Sequence, residues 1–204
     1  MPCACTHDCS LDRLRERQRG TLRAVLVVNA AMFFVIAAAA FFGESAALLS
    51  DSLDNLGDAF TYGLSLYAVS RGAAMKARVA LFKGALIFLG ACVVAGQIVY
   101  RLIEPGAPLF EVMGAFSLLG LAANGLCLFL LWRHRHEDVN MSSVWECSRN
   151  DIASNLSVFA AAGAVWLTGS GWPDLLVAGA LVILLMRSAL RVIASARTEL
   201  RLTA

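Results

Sequence analysis

The sequence predicts an all-α membrane protein, a six-transmembrane-helix bundle with both termini cytosolic. Apolar residues (A, V, I, L, M, F, W, Y and C) make up 59% of the 204 residues, against about 45–50% in an ordinary soluble domain. Charged residues make up 16%, against about 25%. Because one crossing takes about 20 residues, six crossings use about 120. Only short loops and two tails remain, which excludes a separate soluble domain.

The first three predicted spans are separated by short polar segments. Span 1 is the apolar run 24–43, which at about 20 residues is too long for the core of a signal peptide. Span 2, at 46–70, follows a very short turn at 44–45 and carries several acids. Span 3, at 79–100, follows a basic loop and ends before a turn rich in proline and glycine at 104–108.

The last three spans complete the predicted bundle. Span 4 covers 109–132 and ends at a short charged loop, and span 5 covers 144–168 and is polar in its first half. Span 6 follows the turn 169–172, where Pro173 suits a first helical position, and ends near Val192. We therefore expect three regions: a cytosolic tail containing Cys and His at 1–22, a transmembrane domain at 23–193, and a short basic cytosolic tail at 194–204.

The distribution of lysine and arginine predicts the orientation. If the N-terminus is cytosolic, 15 of the 17 Lys and Arg residues lie on the inner side, Arg101 lies outside, and Arg149 lies within span 5. Cytosolic segments of membrane proteins carry this excess of positive charge. We therefore expect a multi-pass protein of a plasma membrane, such as the inner membrane of a bacterium.

Four oxygen-bearing side chains are expected near the middle of the membrane. Asp54 and Asp58 lie four residues apart on span 2, and Asp151 and Asn155 lie four apart on span 5, so each pair shares one helix face. A carboxylate at the centre of a span costs about 2.5–3.5 kcal/mol to insert. Acids that only bond neighbouring helices are the alternative, but Ser or Asn would do this at lower cost. Two facing helices would instead gather oxygen ligands for a divalent metal.

The charge of this predicted site indicates a coupling to protons. Three ionised aspartates carry −3 against the +2 of the metal, so one proton can stay when the ion is bound. Metal binding would displace the other protons that an empty, low-dielectric site holds. The hypothesis is a metal/proton exchanger, and a metal affinity that is the same at about pH 6 and pH 8 would count against it.

The stretch around these acids resembles a known family. Residues 43–58 read GESAALLSDSLDNLGD, which is similar to the second-helix signature of cation diffusion facilitator transporters. That signature is a Gly…Ser-x-Ala-Leu-Leu-x-Asp stretch followed by (His/Asp)-x-x-x-Asp. The matching motif of the family's fifth helix falls on Asp151-x-x-x-Asn155. The resemblance extends over all six spans.

The resemblance implies a homodimeric antiporter that exports Zn²⁺, or Cd²⁺, Fe²⁺, Mn²⁺ or Co²⁺, from the cytosol against protons. It also implies that the transport site is formed by Asp54, Asp58, Asp151 and Asn155. Two features depart from the family pattern. Asn155 stands where Asp is usual and no His is present, so the site is all-oxygen and less strictly suited to zinc. The chain also ends about a dozen residues past span 6, so we expect a variant without the family's cytosolic C-terminal domain, whose dimer forms through spans or tails.

Further candidate ligands flank the predicted site. Cys147 lies one turn before Asp151 on span 5 and is either a soft ligand on the cytosolic side or a packing residue. Asp51 lies three residues before Asp54 and is either a ligand on the exit path or a partner within the bundle. Two cytosolic clusters could gather ions or be ordinary surface: Cys3, Cys5, His7 and Cys9 in the tail, and His134 and His136 in the loop after span 4.

Other classes of protein find little support in the sequence. The chain contains no Gly-x-x-x-x-Gly-Lys-Ser/Thr loop, so an ATP-driven pump is not expected. All three histidines lie outside the spans, which disfavours a membrane enzyme. We expect no enzyme, no resident cofactor and no nucleic-acid partner; the expected partners are divalent ions, protons and the lipid bilayer. The alternative function is a membrane metal sensor or accessory subunit that binds ions without moving them.

Overall fold

The structure is a bundle of six α-helices. It is a computed structural model, and it describes residues 4–68, 73–132 and 139–202. The helices are α1 (Ala4–Phe42), α2 (Ala46–Ala68), α3 (Ala73–Ile103), α4 (Phe110–Trp132), α5 (Val139–Thr168) and α6 (Trp172–Leu202).

The helices follow the predicted spans but run past several of them. The bounds of α2 and α4 agree with prediction to within two residues, whereas α1 already begins at Ala4 and α6 continues to Leu202. Both extensions contain Arg, Leu, Glu and Ala, which are good helix formers. A helix can therefore continue beyond its apolar run. At the start of α1 and at the end of α6, hydropathy alone does not predict where the helix begins or ends.

The central helix of the bundle is α2, which contacts each of the other five helices. In the described chain five helices are long and apolar enough to cross a membrane, and α2, with its three aspartates, is not among them. At 23 residues it is still about 35 Å long, enough to cross the hydrocarbon core. Protein surrounds α2 and can solvate its polar groups, as is usual for ionisable residues inside membranes.

Apolar side chains cover the outside of the bundle. Phe34, Phe42, Phe129 and Leu167 are each at least 70% exposed, which would be unfavourable in water and is ordinary against lipid. The apolar exterior, the five apolar helices and the polar helix in the centre confirm the predicted all-α membrane bundle.

The first turn of α2 is capped partly by a residue of α6. The Ser45 hydroxyl accepts a hydrogen bond from the Leu48 amide at 3.0 Å, as an N-cap serine does. The same hydroxyl donates to Asp174 at 2.6 Å, and the amides of Ala46 and Ala47 donate to the Asp174 carboxylate at 2.9 and 3.1 Å. Asp174 is buried, and its negative charge also suits a helix N-terminus. The start of α6 therefore fixes the start of α2.

Two turns at the same end of the bundle use left-handed backbone. Gly169 has φ 61° directly after α5, and its amide donates to the Val165 carbonyl at 2.8 Å, a common way to end a helix. Glu44 has φ 55° in the turn between α1 and α2. Its carboxylate accepts a hydrogen bond from Arg101 at 2.6 Å, which ties this turn to the last turn of α3.

Candidate metal centre

Three of the predicted aspartates lie at the interface of α2 and α5. The carboxyl groups of Asp58 on α2 and Asp151 on α5 are in contact across this interface. One turn earlier on α2, Asp54 accepts a hydrogen bond from the Ser154 hydroxyl at 3.1 Å. The charges of Asp54 and Asp58 both act on Asp151. The geometry therefore brings together three carboxyl groups in a region enclosed by helices.

Two hydroxyl groups extend this interface beyond Asp58. Tyr62, which is fully buried, donates a hydrogen bond to Asp58 at 3.0 Å, and its oxygen lies 3.3 Å from the Ser148 hydroxyl. As position increases along α2, the contacted positions on α5 decrease, so the two helices run antiparallel. Neither Tyr62 nor Ser148 was among the residues predicted for the site, although Tyr62 has the same four-residue spacing from Asp58 as Asp58 has from Asp54.

Asn155 adopts a different orientation from the three aspartates. It is fully buried, and its amide nitrogen donates to the Asp151 backbone carbonyl one turn earlier at 2.9 Å. Its side-chain oxygen lies against Gly120 of α4, where a Cβ atom would overlap it. The oxygen of Asn155 therefore points towards Gly120 of α4, and the only bond of this side chain to an aspartate among the described interactions is to the Asp151 backbone.

Several buried oxygen atoms in this region have no hydrogen-bond partner among the described residues. They are one oxygen of Asp151, the side-chain oxygens of Asn29 and Asn155, and both carboxylate oxygens of Asp51. An unsatisfied buried polar group costs about 1–3 kcal/mol, so native proteins contain few of them. All of these atoms can accept but not donate when the acids are ionised. Acceptor atoms of this kind can be satisfied by a cation, by a water molecule or, on the acids, by a proton.

Asp51 lies one turn before Asp54 on α2. Among the described residues its side chain makes no hydrogen bond to α5. Its backbone carbonyl accepts a hydrogen bond from Asn55 at 3.0 Å, and its side chain is fully buried. The Asp51 carboxyl group interacts electrostatically with Asp151 and with Asp54. The remaining predicted ligands lie outside the described side chains: Cys147 of α5, Cys3, Cys5, His7 and Cys9 of the tail, and His134 and His136 of the loop.

The centre is not preassembled around an ion. Within the described ranges, no three His, Cys, Asp or Glu side chains form a group that could hold a metal as they stand. Two of the aspartates instead accept hydrogen bonds from hydroxyl groups: Asp54 from Ser154, and Asp58 from Tyr62. Ion binding at these residues would therefore require rotation of their carboxylates away from the hydroxyls.

A helical bundle with an apolar exterior and with acidic side chains between its helices defines a multi-pass membrane protein with a polar interior. The family model of the cation efflux transmembrane domain matches residues 22–201. Because the match covers most of the chain, the protein belongs to the cation efflux family, a family of metal cation transporters. The family resemblance inferred from the motifs is thereby confirmed. Comparison with curated proteins gave no match.

The contact between Gly120 and Asn155 leads to a prediction for Gly120→Ala. The added methyl group would overlap the Asn155 oxygen and lie 3.4 Å from a methyl group of Ile36. Overpacking of this kind costs about 1–3 kcal/mol, so we expect a lower melting temperature in detergent and impaired metal uptake. Gly125→Ala on the same helix is the matched control, because no atom lies within 4 Å of its added Cβ. Equal melting temperatures for the two variants would contradict the contact.

Proposed function

We propose that this protein exports a divalent transition-metal cation, Zn²⁺ or Cd²⁺, Fe²⁺, Mn²⁺ or Co²⁺, from the cytosol in exchange for protons. The observation that carries the proposal is the meeting of Asp54, Asp58 and Asp151 between α2 and α5. Beside them lie buried oxygens that have no hydrogen-bond partner in the described part of the chain. A purely structural role is disfavoured, because three acids in one membrane interior are costly and simpler polar residues would hold the helices together.

The proposed transport site consists of Asp54, Asp58, Asp151 and Asn155. In the structure the Ser154 hydroxyl donates a hydrogen bond to Asp54 and the Tyr62 hydroxyl donates one to Asp58. An arriving ion would take the place of these hydroxyls, and the Asn155 oxygen would turn from α4 towards it. Asp51 is buried nearer the start of α2, and its carboxylate has no hydrogen-bond partner among the described residues. It is the proposed next ligand on the way out.

Charge balance supports the exchange for protons. Three aspartates exceed the charge of one divalent ion, so the site would lose protons when metal binds and regain them when it leaves. Opening the site alternately to the two membrane faces, by rocking of one group of helices against another, would couple the two flows. In our proposal the protein is a homodimer in a plasma membrane, the inner membrane of a bacterium, with both termini cytosolic.

The test is uptake of a panel of divalent ions into proteoliposomes with an imposed pH gradient. We expect uptake of at least one of Zn²⁺, Cd²⁺, Mn²⁺, Fe²⁺ and Co²⁺ that rises with the gradient and collapses when a proton ionophore removes it. Metal binding without flux would contradict the antiporter and indicate a sensor or accessory subunit. Flux that is indifferent to the gradient would contradict the exchange for protons alone.

The same assay tests the fourth ligand. Asn155→Ala removes the side-chain oxygen, and we expect it to weaken the apparent affinity for the ion about tenfold or more. Cys147→Ala is the comparison, because Cys147 lies one turn away on the same helix. If Cys147→Ala weakens uptake and Asn155→Ala does not, Cys147 completes the site and the proposed ligand set is wrong at that position.

A further inference from the structure

A buried thiol lies beside the aspartate centre. Cys127 of α4 is fully buried and belongs to the same packed cluster as Tyr62, the residue whose hydroxyl bonds Asp58. The charges of Asp151 and Asp58 both act on this thiol, that of Asp151 more strongly. Cys127 therefore lies at the edge of the region where the proposed ion would sit, on a helix that contributes none of the proposed ligands.

A second observation marks the same place. Asn29 of α1 is buried, and its amide nitrogen lies 3.7 Å from the Cys127 sulfur and donates to the Val25 carbonyl at 3.0 Å. The oxygen of the same amide group has no partner among the described residues. A buried amide oxygen without a partner costs free energy. A role of Asn29 in packing alone would not compensate for this cost. Sulfur, amide oxygen and carboxylates are thus contributed by four helices to one region.

We propose that Cys127, with the Asn29 side chain that contacts it, forms the cytosolic side of the ion site and makes the transporter select thiophilic divalent ions, Cd²⁺ and Zn²⁺, over Mn²⁺. The inference rests on the proposed transport function. Thiolate is a soft ligand that selects Zn²⁺ and similar ions, whereas carboxylates and carbonyl oxygens suit Mn²⁺ and Mg²⁺. On coordination, a metal–sulfur bond replaces the S–H bond and the proton passes to water.

The position of Cys127 fits the cytosolic side of the site in the predicted orientation. On α4 the thiol lies close to Leu131, near the end of the helix, and both residues pack in the cluster with Leu22 and Val25 of α1. Tyr62, in the same cluster, comes one turn after Asp58 on α2. An ion entering from that end would meet the thiol before it meets Asp54.

The first experiment measures the ranking of ions. Purified wild-type protein, Cys127→Ser and Cys92→Ser are reconstituted, and Cd²⁺ uptake is compared with Mn²⁺ uptake in each. Serine keeps the size of the side chain and offers oxygen, so we expect the Cd²⁺/Mn²⁺ ratio of Cys127→Ser to fall about tenfold. Cys92 is exposed on α3 and serves as the control, with an unchanged ratio. A purely structural role of Cys127 would lower both uptakes together, and that result would overturn the proposal.

The second experiment does not depend on transport. The background variant carries Cys3→Ser, Cys5→Ser, Cys9→Ser and Cys92→Ser, so that Cys127 and Cys147 are the cysteines that remain. Cd²⁺ is titrated into this protein in detergent while the ultraviolet absorption of the Cd²⁺–thiolate bond is recorded. We expect Cys127→Ser in this background to remove most of the absorption, with Cys127→Ala as a second variant if the serine variant does not remain monodisperse. Retention of the full absorption after loss of Cys127 would overturn the proposal.

The two experiments separate the possible failures. A Cd²⁺–thiolate signal from Cys127 in a protein that moves no metal would refute the transport function and leave the thiol ligand in place. Transport by the wild-type protein with an unchanged Cd²⁺/Mn²⁺ ratio in Cys127→Ser would keep the transport function and refute the role of the thiol.

Discussion

Asp58→Asn is expected to reduce metal uptake in proteoliposomes at least about a hundredfold. Asp58 contacts Asp151 across the helix interface and accepts the Tyr62 hydrogen bond, so it is the aspartate best placed to join ligands from both helices. Asparagine has the same shape and still accepts from Tyr62, but it removes the negative charge that attracts and holds the ion. The exchange of metal for protons is expected to fail as well, because the substitution removes one of the groups that bind and release protons.

The fold should not suffer from this substitution. Removing a carboxylate from the membrane interior also removes its insertion cost of about 2.5–3.5 kcal/mol, so the melting temperature in detergent is expected to stay level or rise. Glu111→Gln is the matched control, because Glu111 is exposed in the first turn of α4, away from the centre. Normal uptake by Asp58→Asn would remove Asp58 from the transport site, while a variant that unfolds would show that the carboxylate is structural.

The second large effect is expected for Asp174→Ala, and it is an effect on stability. The carboxylate accepts three hydrogen bonds at the start of α2, from the Ser45 hydroxyl and from the amides of Ala46 and Ala47. Loss of the acceptor leaves buried donors without partners, at about 1–3 kcal/mol for each group that finds no substitute. We expect a total loss of about 2–4 kcal/mol, seen as a lower melting temperature in detergent.

Asp174→Asn is expected to have an intermediate effect on stability. Asparagine keeps one oxygen acceptor and loses the other together with the charge, so its melting temperature should lie between those of wild type and Asp174→Ala. Uptake per folded molecule should change little in either variant, because Asp174 lies at the end of the bundle and not at the aspartate centre. Identical melting temperatures for wild type and Asp174→Ala would show that the cap does not stabilise the fold.

Most of the fold could be predicted from the sequence because membrane insertion imposes a length and a composition on each helix. The turn after Gly43 and the apolar residues that follow it predict that span 2 starts at Ala46, and α2 begins at Ala46 in the structure. The cap by Asp174 could not be predicted, because donor and acceptor lie 129 positions apart in the chain. Its detection needs the packing of α6 on α2, which no local pattern encodes.

The candidate site could be predicted only in part, for a related reason. Aspartates in a span are conspicuous because they are costly, so the sequence alone singled out Asp54, Asp58 and Asp151. Ser154, Tyr62 and Gly120 are of residue types common in membrane helices, and their roles depend on the register of α2 and α4 against α5. The orientation of Asn155 towards α4 depends on the missing side chain of Gly120, a contact between helices that hydropathy does not encode.

The polarity of α2 has a consequence for the topology of the whole chain. Hydropathy applied to the described helices gives five crossings, an odd number that would place the two ends of the protein in different compartments. The polar helix in the middle of the bundle, taken as a crossing, makes the number even and returns the C-terminus to the compartment of the N-terminus. The helix that lipid tolerates least therefore determines whether the two termini face the same aqueous phase.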